Sequence, residues 1–173
     1  MPTEASSIPG VIIHRPQVHS DSRGRFVEIF RAVSMPEAFV QSNHSTSVAG
    51  VLRGLHYHER QADLWYLATG RMQVGLADLR RRDRPPHVET LVFDGTEPAS
   101  IYIPSGVAHG YLALTEIELI YWVTSEYDPD DEQGVAWDDP ELAVPWQLSG
   151  DPVLSDRDAR NPKLDWELIP SFS

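Results

Sequence analysis

Short apolar or alternating segments recur along the chain, with turn residues between them. Val11–Ile13, Phe26–Phe30, Leu64–Ala68, Met72–Ala77, Val88–Phe93, Ala99–Ile103 and Leu119–Val123 each have the length and composition of a strand. Breakers separate them: Ser22-Arg23-Gly24, Thr69-Gly70, Arg84-Pro85-Pro86, Asp94-Gly95, Pro104-Ser105-Gly106 and Asp128-Pro129. Strands this short at this spacing predict an all-β sandwich or barrel. One helical stretch is predicted over Met35–Val40, after Ser34, and the proline-containing tail from Pro140 predicts turns and short helices. With 14 prolines and little helix, the pattern favours a small barrel whose interior is filled or holds a ligand. Side chains alternate between faces along a strand, so polar residues at alternating positions are candidates for a pocket.

The chain has 173 residues, of which 41% are hydrophobic, and this predicts a single domain spanning 1–173. It has no cysteine, which excludes disulfides and thiol chemistry. Its net charge of -12 argues against nucleic-acid binding, because a polyanion is repelled; a small anionic ligand in a locally basic pocket remains compatible. No apolar run is long enough for a membrane helix. Met1–Gly10 lacks the basic and apolar regions of a secretory signal, so a cytoplasmic location is expected. The acidic runs Asp128–Glu132 and Asp138-Asp139 read as solvated loops.

Chemistry-bearing residues are densest in Gly50-Val-Leu-Arg-Gly-Leu-His-Tyr-His58. His56 and His58 are two apart, so on a strand they share a face, while Arg53 has the opposite parity unless Gly54 bends the chain. His109 follows an apolar strand that turns through Pro104-Ser105-Gly106. A lone histidine usually satisfies a buried hydrogen bond; three in this arrangement favour a shared site. Gly50-x5-His56-x-His58-x4-Asp63-x6-Gly70 resembles the first cupin motif, with Asp63 in place of the usual glutamate. Pro104-x-Gly106-x2-His109 resembles the second, with Ala113 in place of its final asparagine.

A closer resemblance spans roughly residues 11–165. Asp21-x-Arg23-Gly24-x-Phe26-x-Glu28-x-Phe30, Phe39–Ser45, Gly50–Tyr57, Ala77–Arg80, Ile103-Pro104-x-Gly106-x-Ala108-His109-Gly110, Tyr121-x5-Tyr127-x-Pro129, Trp137-x-Asp139-Pro140 and Leu154-Ser155-x2-Asp158 occur in the order seen in the dTDP-4-dehydrorhamnose 3,5-epimerase family. The resemblance implies a cupin-type double-stranded β-helix, or jelly-roll, barrel with short helices at its C-terminal end. It implies a cofactor-free homodimer that epimerises the carbons flanking the ketone of a dTDP-4-keto-6-deoxyhexose. By position His56 matches the base, Asp158 its partner and Tyr121 the acid. Arg23, Phe26, Glu28, Gln41, Asn43, Arg53, His109 and Tyr127 match substrate-binding positions, some of them acting in trans. The residue types suit that chemistry. Imidazole is largely neutral at pH 7 and accepts a proton, a phenol carries a donor, and guanidinium forks fit a diphosphate. For Arg23, a turn-stabilising surface ion pair is the structural alternative.

Two positions depart from the family pattern. His58 stands where glutamine is usual, and Asp63 where a lysine faces the developing enolate oxygen. A carboxylate cannot replace that lysine. Together with His56 and His109 the two substitutions compose a ligand set for one divalent transition metal, His56, His58, Asp63 and His109. Such a metal-dependent cupin enzyme is the second reading, and in it a metal-bound His56 could not act as the base. In the simpler reading Asp63 pairs with His58 and nothing binds. A non-catalytic ligand-binding homologue is the third reading.

Overall fold

The structure is a computed structural model that describes residues 3–172; Met1, Pro2 and Ser173, the ends of the expected 1–173 domain, lie outside the described residues. Among the described residues thirteen strands run in chain order: β1 Thr3–Ala5, β2 Ile12–His14, β3 Val18–Asp21, β4 Gly24–Val27, β5 Gln41–Ser47, β6 Leu52–His58, β7 Asp63–Thr69, β8 Arg71–Asp78, β9 His87–Asp94, β10 Ser100–Ile103, β11 Val107–Ala113, β12 Ile117–Val123 and β13 Glu132–Gly134. They form a six-stranded sheet in the order β1-β2-β10-β7-β12-β5, a five-stranded sheet in the order β13-β6-β11-β8-β9, and the hairpin β3-β4. Every pairing between these strands is antiparallel.

Alternation along the strands builds the core between the two large sheets. Ile13, Leu67, Ile101, Ile103, Ile117 and Leu119 from one sheet meet Met72, Val74, Leu76, Phe93 and Val107 from the other. The opposite face of the five-stranded sheet is also apolar, at Leu55, Tyr57, Ala77, Leu79 and Ala108, and it is covered by the tail through Val135, Leu142, Val144, Trp146 and Ile169. The outer face of the six-stranded sheet is covered by Phe30, Met35 and Phe39, with Phe30 stacked 5.2 Å from Trp122.

Each of the predicted strands is present, with end shifts of a few residues. Phe26–Phe30 differs most, because the strand stops at Val27 and Phe30 turns to stack on Trp122. The helix expected over Met35–Val40 is absent. Met35 is extended (φ -96°, ψ 149°), the conformation a following proline imposes, and the regular structure nearby is a 3-10 turn at Ala32–Ser34. The C-terminal helices reduce to a 3-10 turn at Asp158–Arg160, and no α-helix occurs among the described residues. The acidic runs are not simply solvated. Asp131 and Asp139 are buried, and their carboxylates accept backbone N–H groups: Glu59, Arg60 and Gln61 on Asp131, and Glu141, Leu142 and Leu164 on Asp139.

One irregularity sets the geometry of the site. On β11 His109 and Tyr111 are two apart, but their partners on β6, His56 and Arg53, are three apart. The extra residue is a β-bulge at Gly54-Leu55, and it reverses the parity of β6. Arg53 therefore turns to the same side as His56 and His58, while Leu55 and Tyr57 pack outward under the tail. The bulge depends on glycine. Gly54 has φ +120°, and a Cβ there would lie 2.7 Å from the Cα of Gly110; a Cβ on Gly110 would lie 2.6 Å from the carbonyl oxygen of Arg53. Gly54→Ala and Gly110→Ala should each destabilise the protein by about 1–3 kcal/mol. Urea unfolding checks this, and midpoints equal to wild type would show that the strands do not need this approach.

Candidate active site

At one end of the interior the apolar filling gives way to a cavity of about 460 Å³. Its two walls are the inner faces of the two sheets, and strand register fixes the side chains on each. On the six-stranded sheet Asn43, Tyr121 and Trp65 form one row across β5, β12 and β7, and Gln41, Val123 and Asp63 form the next. On the five-stranded sheet His56 lies opposite His109, and Arg53 opposite Tyr111, with His58 at the end of β6.

His56 is held from behind by the tail. Val51 bridges to Val153, and the chain then makes the 3-10 turn that carries Asp158. The hydroxyl of Ser155 accepts the N–H of Asp158 at 3.0 Å. Nε2–H of His56 donates to Oδ1 of the buried Asp158 at 2.6 Å. Burial alone would raise the Asp158 carboxyl; the hydrogen bond and charge of His56, with Ser155 and the Gly54 N–H, outweigh it and hold the carboxyl below its ordinary range. With Nε2 so engaged, Nδ1 is the nitrogen left to exchange a proton. Glu132 lies 3.8 Å from Nδ1, and its own charge is paired with Arg157 at 2.6 Å.

Tyr121 projects from the opposite wall. Burial, then the carboxylates of Asp63 and Glu132, push its phenol above the ordinary value, so the proton stays on oxygen at neutral pH. Arg53 bonds to the Ser47 hydroxyl at 3.2 Å and the Thr46 carbonyl at 3.3 Å. No carboxylate comes within 4.0 Å of its guanidinium among the described residues, so its charge is free for an anion.

The expected site residues divide into two groups. His56, Tyr121, Gln41, Asn43, Arg53, His109 and Tyr127 line the cavity, and Asp158 sits behind His56. Arg23, Phe26 and Glu28 do not reach it within the chain. Arg23 pairs with Asp21 at 2.6 Å, as its structural alternative foresaw, Glu28 pairs with Arg31, and Phe26 is 66% exposed on the hairpin. The four-residue metal set is corrected to three. His58, Asp63 and His109 offer ligand atoms all within 4.8 Å of one another, and His56, whose Nε2 is held by Asp158, does not share that cluster. Asp63 does not pair with His58 either; it accepts hydrogen bonds from Gln61 at 2.8 Å and Trp65 at 3.0 Å. Burial pushes the imidazole of His109 down to about 4, against the pull of the Asp63 carboxylate. Sequence reasoning missed Trp65, whose ring meets His109 edge-on at 5.2 Å, and Glu132. The parity of Trp65 with Asp63 was a usable signal; Glu132 was hidden in an acidic run.

The family model for dTDP-4-dehydrorhamnose 3,5-epimerase matches residues 5–165. The chain belongs to the dTDP-4-dehydrorhamnose 3,5-epimerase family. A Pseudomonas aeruginosa member of this epimerase family is 38% identical over 164 residues, covering 88% of this chain and 90% of its own. The fold is that of the family's cupin barrels. A Legionella pneumophila dTDP-6-deoxy-D-glucose-3,5-epimerase solved with dTDP-4-keto-L-rhamnose superposes with a TM-score of 0.90 at 31% identity, covering 99% of this chain and 98% of that one. A Streptomyces bikiniensis 3'-monoepimerase solved with dTDP-quinovose has a TM-score of 0.85 at 32% identity, covering 91% of this chain and 85% of that one.

The dyad yields a test of the local electrostatics. Because the folded Asp158 titrates below its ordinary 3.8, its ionised form contributes stability above that pH, and this is lost as pH falls through the lower folded value. His56→Ala removes the strongest group opposing burial, so Asp158 should titrate at higher pH than in wild type. Carboxyl carbon NMR follows this, and an unchanged titration would show that the 2.6 Å contact is not formed in solution.

Proposed function

We propose that this protein is an isomerase that epimerises C3, C5 or both in a dTDP-4-keto-6-deoxyhexose, a step of deoxysugar biosynthesis. The observation that carries the reading is that a carboxylate-backed imidazole, His56, and a protonated phenol, Tyr121, stand on facing sheets across one cavity. Epimerisation needs this disposition. A proton alpha to the ketone leaves from one face of the sugar, and another arrives at the opposite face.

In this reading Nδ1 of His56 takes the proton, and Asp158 orients the ring and stabilises the imidazolium that forms. Tyr121 donates to the other face of the resulting enolate. His109 and Tyr127 contact the sugar side of the ligand. Arg53, with no carboxylate within 4.0 Å among the described residues, binds the diphosphate as a charge-assisted donor, and Gln41 and Asn43 offer amides to the nucleotide. The enolate oxygen needs a donor or a positive charge. Asp63 supplies neither, so that charge has to come from elsewhere on the cavity wall.

Arg23, Phe26 and Glu28 act in this reading on the cavity of a second copy of the chain, in a homodimer. The position of Arg23 and Phe26 on an exposed hairpin, with Glu28 just after it, away from the chain's own cavity supports this. Sedimentation at micromolar concentration should give a dimer, and a monomer would remove these three residues from the nucleotide site.

Incubating a dTDP-4-keto-6-deoxyhexose with the protein in deuterated water should wash deuterium into C3, C5 or both, and the labelled carbon identifies the centre. His56→Ala should slow the exchange by roughly 100- to 10,000-fold, the usual contribution of a positioned base. Exchange at the wild-type rate in that variant would contradict the assignment of the base.

A further inference from the structure

The carboxylate of Asp63 is buried in the cavity wall, and its hydrogen-bond donors, the Gln61 amide and the Trp65 indole, are both neutral. Among the described residues, the ionisable partner within 4.0 Å is His109, whose Nε2 lies 3.7 Å from Oδ2. Nδ1–H of His109 donates to the Val107 carbonyl at 2.9 Å, so Nε2 carries the lone pair of the neutral ring. A bare lone pair and a carboxylate oxygen thus face each other. On His58, the Gln61 amide nitrogen lies 3.3 Å from Nε2. An amide NH₂ only donates, so this nitrogen too presents a lone pair. Its Nδ1 is turned toward Asp131, 3.9 Å away.

Two imidazole nitrogens and one carboxylate therefore converge, with the amide NH₂ of Gln61 standing between His58 and Asp63 where a cation would displace it. Both amide hydrogens are used there, and Nε2 of His109 is left without a donor. Buried Asp139 has three N–H donors, whereas Asp63 has two and faces an imidazole nitrogen that offers no hydrogen.

We infer that His58, Asp63 and His109 form a site for one divalent first-row transition metal, with His56 outside the ligand set. Two imidazoles and a carboxylate are ligands for the metals from Mn²⁺ to Zn²⁺. Donation of the second ring N–H to a backbone carbonyl, as on His109, is the arrangement that fixes a metal-binding imidazole. A cation held here would bring to the cavity the positive charge that Asp63 itself cannot offer. His56 stays with Asp158, so metal binding and a free base at His56 are compatible. Metal binding needs no sugar and no proton transfer, so it stands or falls apart from the epimerase reading.

The test is a Co²⁺ titration of the full, tag-free chain after treatment with a chelator, read by visible d–d absorption with calorimetry for stoichiometry. One Co²⁺ per chain is expected. Asp63→Asn and His109→Gln, with the fold checked by circular dichroism, should each weaken binding by about tenfold or more. His56→Ala should keep the cobalt spectrum. The inference is overturned if the wild type shows no spectrum at millimolar Co²⁺. It is equally overturned by a spectrum that survives both ligand substitutions, or by one lost in His56→Ala.

Discussion

The close approach of Gly54 to Gly110 decides which side chains of β6 reach the cavity, and the rest of the site follows from it. Without the extra residue in β6, strict alternation would send Arg53 to the outer face and leave the cavity without that guanidinium. With it, Arg53, His56 and His58 share one wall, and Leu55 is released to anchor the tail. That anchored tail returns along Val51–Val153 and carries Asp158 to His56. A backbone irregularity of one residue thus links the fold of the barrel, the docking of the C-terminal segment and the construction of the imidazole–carboxylate pair.

The electrostatics of the cavity are those of an acidic protein that compensates its buried carboxylates one at a time. Asp158 is met by His56, Glu132 by Arg157, and Asp131 by a row of backbone N–H groups. Among the described residues Arg53 reverses the pattern as a cation with no carboxylate within 4.0 Å, and Asp63 has two neutral donors and a histidine as its sole ionisable partner. In a low-dielectric wall such imbalances are costly and are ordinarily met by a ligand. The first suits an anionic ligand group; the second suits a metal ion.

Much of this was legible in the sequence. Alternation and turn residues locate β2, β7, β8, β9, β10 and β12 of the two sheets and β4 of the hairpin, but not β5, β6 and β11, which carry much of the cavity wall. The ordered motifs from Phe39 to Asp158 locate most of the cavity residues, but not Trp65 or Glu132. What was not legible has specific causes. The parity of Arg53 was open because a bulge is a property of two strands, and its second half, Gly110, lies far along the chain. Proximity in sequence suggested one ligand set for His56 and His58, whereas the tail claims His56 through a residue 102 positions away. The helix expected at Met35–Val40 gave way to an extended segment that covers the apolar outer face of a sheet, so tertiary packing outweighed local propensity. The acidic run Asp128–Glu132 looked solvated because charge density alone does not distinguish exposed carboxylates from those that cap backbone N–H groups.

In the proposed reaction the two proton transfers come from opposite walls of the cavity. This separates two events that a one-wall mechanism cannot separate, namely exchange of the alpha proton and inversion of the carbon. The direct measurement is the configuration of the sugar formed by Tyr121→Phe in deuterated water. If His56 removes the proton and Tyr121 alone serves the far face, the variant still incorporates deuterium but returns it to the near face, so the labelled sugar keeps its starting configuration. A Tyr121→Phe protein that inverts the centre as fast as wild type would contradict the account.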